Sequence, residues 1–447
     1  MKVYLDYGAT TPVKSEVLTA LLPYLKENFG NPSSIHEWGR IARAAVDEAR
    51  EKTAKFLNAD AAEIVFTSGG TEADNLAIRG LIRNPLEENG GQLGNQKIEN
   101  SQSNNQSLIS KPISNFQQPF SLPHIITSQI EHHAVLNTCK ALEKEGLAEV
   151  TYIKPNRDGI IETEKIKKAI KKNTVLVSIM YVNNEIGTVQ PIREIGKMIE
   201  KENSSRLAVG GKRIYFHTDA VQAAEYLPMD VDFLHVDLLT ISGHKIGASK
   251  GIGALYIKKG TPIKNISFGG EQEMGFRAGT ENITGIIALG KAVSVINQKS
   301  EISFESEPEG SSLRVEDRNQ KIKGLRDYLI NKVLKEISEV ELNGSKELRS
   351  PNNANFYFKY IEGESIVIAM DLEGVGCSTG SACTSQSLEP SHVIMATYSD
   401  PKRAAGSVRF TLGDKTTKEE LDYAVKKIRK VVDRLREISP YGGNNDN

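Results

Sequence analysis

Apolar residues recur at three- and four-residue spacing between Ser15 and about Ala77, most clearly over Val17 to Leu25 and Ile41 to Phe56, with Gly30-Asn31-Pro32 interrupting the pattern. That spacing puts the apolar side chains on one face and predicts amphipathic helices separated by a turn. Short β-branched runs then alternate with helical patterns: Glu63 to Phe66, His124 to Thr127, Val175 to Met180, Ile214 to His217, Leu238 to Ile241 and Gly253 to Ile257. Parallel neighbours need crossover connections, so this alternation predicts an α/β fold with a mainly parallel sheet over residues 15–262. Farther on, helical Ile322 to Leu334 and Leu421 to Leu435 surround strand-like Asn355 to Phe358 and Ser407 to Thr411. They predict a smaller α+β domain built from residues 1–14 and 263–447.

Two segments break the rhythm. Residues 84–122 are loaded with Asn, Gln, Ser and Pro, and residues 300–318 with Glu and Ser. Neither has enough apolar residues to offset the entropy of ordering, so both are read as surface insertions. The remaining composition is ordinary for a globular protein: 39% hydrophobic and 25% charged among 447 residues. A net charge of -1 gives no basic field for nucleic acid or acidic lipid, which leaves small molecules and proteins as partners. No apolar run reaches the roughly 18 residues of a membrane span. The opening Met1-Lys2-Val3-Tyr4-Leu5-Asp6 lacks a secretory-signal pattern. Three cysteines, Cys139, Cys377 and Cys383, cannot form a disulfide framework, and a reducing cytoplasm is expected.

The chemistry gathers at strand ends. Thr240-Ile241-Ser242-Gly243-His244-Lys245 closes one run in a polar turn with one lysine, an amine suited to form a Schiff base with an aldehyde cofactor. Alone, such a lysine is ordinary solvated surface. Upstream, Ile214 to His217 runs into Thr218-Asp219-Ala220-Val221-Gln222, where an acid could pair with a protonated pyridine or simply cap a helix. Thr67-Ser68-Gly69-Gly70-Thr71 precedes a helical pattern and could seat a phosphate on free N–H groups, although it is also an ordinary turn. No Walker lysine or dinucleotide fingerprint accompanies it. Glu131-His132-His133 and Val182-Asn183-Asn184-Glu185 follow two further strands. Strand ends of an open α/β sheet converge on one crevice, so these distant groups can meet. The His-His pair lacks partners at zinc spacing, and no metal is expected.

With Ser378-Thr379-Gly380-Ser381-Ala382-Cys383-Thr384-Ser385 and Ser387-Leu388-Glu389-Pro390-Ser391-His392 added, the motifs resemble those of cysteine desulfurases of the NifS/IscS type, in the class V aminotransferase branch of fold-type I pyridoxal-phosphate enzymes. The resemblance runs from Leu5-Asp6-Tyr7-Gly8-Ala9-Thr10-Thr11-Pro12 to Ser439-Pro440 and leaves both insertions outside it. It implies a large domain with a seven-stranded, mainly parallel sheet. By position it implies that Lys245 carries pyridoxal 5'-phosphate, Asp219 pairs with the ring nitrogen, Gln222 meets the ring hydroxyl and His132 stacks on the ring. Gly70, Thr71, Ser242 and His244 would bind the phosphate, joined by Thr280 from a second subunit of a homodimer. Asn184 and Arg409 would hold the substrate carboxylate, a task suited to arginine's fork. The chain departs from the family at Gly247-Ala248-Ser249-Lys250-Gly251, where Tyr-Gly-Pro-Lys-Gly is usual, and at Ala220-Val221-Gln222-Ala223.

The implied reaction takes sulfur from L-cysteine as a persulfide on Cys383 and leaves alanine. Lys245 moves the Cα proton and His132 assists. The persulfide would pass to an iron-sulfur scaffold protein or another acceptor, with Cys383 also a candidate transient iron-sulfur ligand. Cys377 is read as a packed thiol. A selenocysteine lyase, another class V aminotransferase and a catalytically silent assembly scaffold are the alternatives.

Overall fold

The computed structural model describes residues 1–82, 121–301, 316–380 and 390–439, with side chains apart from those of 298–301 and 316–318. Most of both insertions, and Cys383 itself, lie outside the described residues. The chain enters through β1 (Val3–Tyr4). There follow β2 (Ile64–Thr67), β3 (His124–Ser128), β4 (Glu149–Ile153), β5 (Thr174–Ser178), β6 (Tyr215–Asp219), β7 (Leu238–Ser242) and β8 (Gly253–Ile257). These seven form one sheet in the order β2-β8-β7-β6-β5-β3-β4. Only β8 runs against the others, pairing antiparallel with both β2 and β7. The strands fall within two or three residues of the apolar runs, except β4, whose mostly half-exposed pattern gives no such run.

Helices cover the sheet because their apolar residues share a face. The helix Glu37–Leu57 buries Ala42, Ala45, Val46, Ala49 and Thr53, is capped by the His36 ring at Gly39 N–H, and ends at Asn58 in the left-handed region (φ 54°). Its neighbour Ile283–Glu301 comes so close that a Cβ at Gly290 would lie 2.7 Å from Ala49 Cα. Ile286, Leu289, Val293 and Ile296 of that helix belong to the same core as Val17, Val46 and Phe66. The expected boundary at 262 places this helix with the smaller domain, while its apolar face has its complement on the helices over the large sheet.

A second core is built on β9 (Val340–Leu342), β10 (Asn353–Phe358) and β12 (Ser407–Thr411), an antiparallel sheet in the order β12-β10-β9. Phe356, Phe358 and Phe410 pack there with Ile322, Leu329, Leu421 and Ile428. The helix Lys418–Ile438 starts in a Thr417/Glu420 capping box. Val3 and Leu5 join this core, since β1 pairs in parallel with β11 (Val375–Gly376). The first residues are thereby threaded between the two cores. Among the described residues no helix is long and apolar enough to cross a membrane.

Candidate active site

Five strands pointing the same way, β2, β3, β5, β6 and β7, end on one side of the sheet. The turns that follow them enclose a cavity of about 310 Å³ lined by Gly70, Thr71, His132, Asn184, Asp219, Gln222, Ser242, His244, Lys245 and Arg409. The cofactor- and substrate-site positions expected from the sequence thus meet in one place, except Thr280, which is exposed and outside the lining. Gly8, Ala9, Asp74, Met180, Val221 and Gly380 complete the wall. Gly380 matters because it leads directly into the segment bearing Cys383.

Lys245 follows β7 in a short 3-10 turn, and its Nζ donates to Gly8 O at 2.5 Å and Ala9 O at 2.8 Å. Gln222 Nε2 donates to the same Gly8 O at 3.0 Å. The strap of residues 8–11 therefore closes one side of the cavity, a role that its motif did not disclose. Asp219 ends β6 and accepts from Val221 N–H at 2.9 Å. Burial raises its carboxyl to about 6, against the lowering effects of that N–H and of Lys245. His132 caps the helix His133–Lys144, its Nδ1 accepting from Ala134 N–H at 3.1 Å. Burial, with Lys245, His133 and His392 nearby, lowers this ring to about 4, so it is neutral at neutral pH. His244 is lowered to about 4 chiefly by burial, and then by Lys245 and Lys250.

Behind this front sits a set of groups to which the sequence pattern gave no role. Asp74, fully buried, is pushed well above the carboxylate range by desolvation and then by Asp219. His217 bridges Ser178 Oγ (2.8 Å) and Thr240 Oγ1 (3.1 Å) and is lowered to about 3 by burial. Glu131 is raised to about 8 by burial. Asp74 falls on the helix Gly70–Leu81, one turn after Gly70. That i, i+4 relation was the available signal, but its meaning depends on which side of the helix meets β7.

The donor set fits a phosphorylated pyridine aldehyde of the kind implied by the resemblance. Asn184 Oδ1, Asp74 Oδ1 and Arg409 Nε are buried without hydrogen-bond partners among the described residues, and all three residues line the cavity. Such orphaned groups are costly unless a polar ligand satisfies them. At the phosphate end, a Cβ on Gly70 would lie 2.8 Å from Val221 Cγ2, so the backbone there reaches the helix N-terminus bare of side chain. Asp74, His132 and Asp219 also bring ligand atoms within 4.8 Å of one another. A metal held there would compete with the Lys245 ammonium that already lowers Asp219.

Arg409, on β12, donates from Nη1 to Asn184 O at 2.7 Å and from Nη2 to Asp6 at 2.9 Å. These two bonds fix the guanidinium plane. Nε, without a partner among the described residues, suits a ligand oxygen.

The model of the family described as aminotransferase class-V matches residues 3–96 and 121–424. The chain is 47% identical over 440 residues to the cysteine desulfurase IscS of Dictyoglomus turgidum (strain DSM 6724 / Z-1310), covering 98% of this chain and 97% of that one. Among solved structures it resembles a NifS-like protein with TM-score 0.79 and 30% identity, over 97% of this chain and 100% of that one. It also resembles SspA in complex with cysteine, with TM-score 0.70 and 33% identity, over 92% and 99% of the two chains.

Proposed function

The chain belongs to the class V aminotransferase family, and we propose that within it Lys245 tethers pyridoxal phosphate while Cys383 receives the sulfur of L-cysteine. Its activity is that of a pyridoxal-phosphate-dependent cysteine desulfurase, a sulfurtransferase acting on L-cysteine. One observation carries the assignment of roles: the cavity that unites Lys245, Asp219, Asn184 and Arg409 has Gly380, at the root of the Cys383 segment, in its wall.

When bound, the cofactor supplies an electron sink for the pair released at the substrate Cα. The protein's part is to bind, orient and move protons. Arg409 Nε donates to the substrate carboxylate, with the Asn184 side chain able to add its Nδ2 donor, and the existing bonds to Asp6 and Asn184 O keep the fork from turning away. Asp219 presents its carboxylate to the ring nitrogen; the buried site makes that charge costly alone and favourable once a cation pairs with it. His132, neutral and held by Ala134 N–H, offers an uncharged face for stacking. Lys245, released from the cofactor, takes the Cα proton and later returns one to the alanine carbon. The Cys383 thiolate attacks the substrate sulfur, an S–S bond forms, the C–S bond breaks, and its electron pair leaves with the substrate carbon.

Thr280 is assigned to the phosphate site of a second subunit in a homodimer. Support comes from its exposure and from the ion pairs that hold its loop: Arg50 with Glu273, Arg43 with Glu281 and Arg277 with Glu72. The persulfide is assigned to an iron-sulfur scaffold or another acceptor protein. The free thiols of Cys139 and Cys377, both raised to about 12 by burial, suit a reducing cytoplasm and leave Cys383 as the reactive one.

The experiment is Cys383→Ser. The variant should bind pyridoxal phosphate and cysteine yet release no sulfide, since a hydroxyl cannot hold a persulfide. Sulfide release at the wild-type rate, or a persulfide mass on Cys377 or Cys139, would overturn the assignment.

A further inference from the structure

Glu185 is outside the cavity lining, carries no expected role, and is only 2% exposed. Its backbone is held from three sides: its N–H donates to Asn183 Oδ1 at 2.9 Å, and its carbonyl accepts from Asn355 Nδ2 at 3.0 Å and Asn353 Nδ2 at 3.2 Å. The side chain therefore projects from a fixed point. Its Oε2 accepts from Ser391 Oγ at 2.5 Å, and Ser391 in turn accepts from Ile394 N–H as the cap of the helix His392–Tyr398. The same carboxylate lies against Gly380: a Cβ built there would fall 2.4 Å from Oε2, 3.0 Å from Cδ and 3.2 Å from Cβ of Glu185. One carboxylate thus bonds Ser391 and fills the space beside Gly380, on either side of the stretch that carries Cys383. The preceding residue, Asn184, holds Arg409 through its carbonyl and lines the cavity.

From this geometry we infer that Glu185 is a positioning residue for sulfur transfer, setting both roots of the Cys383 segment in register with the Asn184–Arg409 substrate clamp. The inference rests on Cys383 as the sulfur acceptor. Transfer requires the thiol to meet a sulfur whose own position is fixed by the carboxylate at Arg409, so the distance between the two anchors decides the rate. Misplacement by about 1 Å costs on the order of 10²-fold in such a reaction. Adjacent residues of one buried turn give the shortest rigid link between these anchors.

A merely structural buried carboxylate predicts lost stability and independent effects at its neighbours. A register function predicts coupling between Glu185 and Gly380, because the methyl of Gly380→Ala displaces the segment only while the Glu185 carboxylate occupies that space. The test is a double-mutant cycle on holoenzyme, read as single-turnover persulfide formation on Cys383 by alkylation and mass spectrometry. Gly380→Ala and Glu185→Ala should each slow persulfide formation by about tenfold or more, whereas Gly380→Ala added to Glu185→Ala should cost less than about twofold further. Glu185→Gln, which still accepts from Ser391, should recover to within about threefold of wild type. Visible cofactor absorbance and the KM for cysteine should stay near wild type in the Glu185 single variants. If Glu185→Ala does not fold, the cycle is run with Glu185→Asp, one methylene shorter. Multiplicative losses, or persulfide formation on Cys383 at the wild-type rate in Glu185→Ala, would overturn the inference alone. A persulfide found on another cysteine in the wild type would instead overturn its premise.

Discussion

Arg409 and Asp6 form a 2.9 Å ion pair across almost the whole chain, with side-chain exposures of 3% and 18%. The carboxylate steadies the guanidinium from the strap side while Nε has no partner among the described residues. Substrate recognition at one end of the chain thus depends on the other.

Arg409→Lys should raise the KM for cysteine by about tenfold to 10²-fold at unchanged cofactor absorbance, because an ammonium cannot keep Asp6, Asn184 O and a ligand oxygen in one plane. Asp6→Ala should instead lower stability by about 3 kcal/mol in urea unfolding, the cost of leaving a buried guanidinium without its charge partner. A KM unchanged in Arg409→Lys would remove Arg409 from the substrate site.

Lys245→Ala should lose the visible absorbance of bound cofactor and all detectable sulfide release. The next lysine along the chain, Lys250, lines no part of the cavity. A variant with an unaltered spectrum would place the tether on another amine.

For Asp219→Ala, part of the cofactor should be retained, but turnover should fall by about 10²-fold or more, since one preorganised charge facing the ring nitrogen is gone. Near-normal turnover would reduce Asp219 to the acceptor of Val221 N–H.

Glu131→Gln tests the buried acids behind the site through pH. Burial raises the Glu131 carboxyl to about 8 from its ordinary value of 4.5, so between those values the folded apoprotein holds a proton that the unfolded chain has released. Wild-type stability must then fall through this window as pH rises, and the uncharged Gln removes that contribution. Urea unfolding at pH 5 and pH 8 should therefore show the stability difference shifting toward the variant at the higher pH. A difference independent of pH would mean that Glu131 ionises in the folded state as it does in the unfolded one.

The local pattern alone determined the alternation of strands and helices, because period and punctuation are properties of neighbouring residues. β8 begins and ends at Gly253 and Ile257 as its run predicts, and β12 at Ser407 and Thr411. The motifs at the strand ends also pointed to the lysine and the acid that meet in the cavity, since their spacing after strands is local; Arg409, inside β12, was implied only by the family resemblance. Tertiary structure decided the rest. Periodicity tells that Ile286, Leu289, Val293 and Ile296 share a face, but not that helices over the large sheet cover it. No period marks the strap at Gly8 and Ala9 or the link from Glu185 to Gly380 and Ser391, which are polar turns joined by contacts across the chain. The shifts at Asp74, Glu131, His132 and His217 likewise come first from desolvation. Desolvation is the sum of what distant segments place around a group, and it exists only once the two cores have closed on the cavity between them.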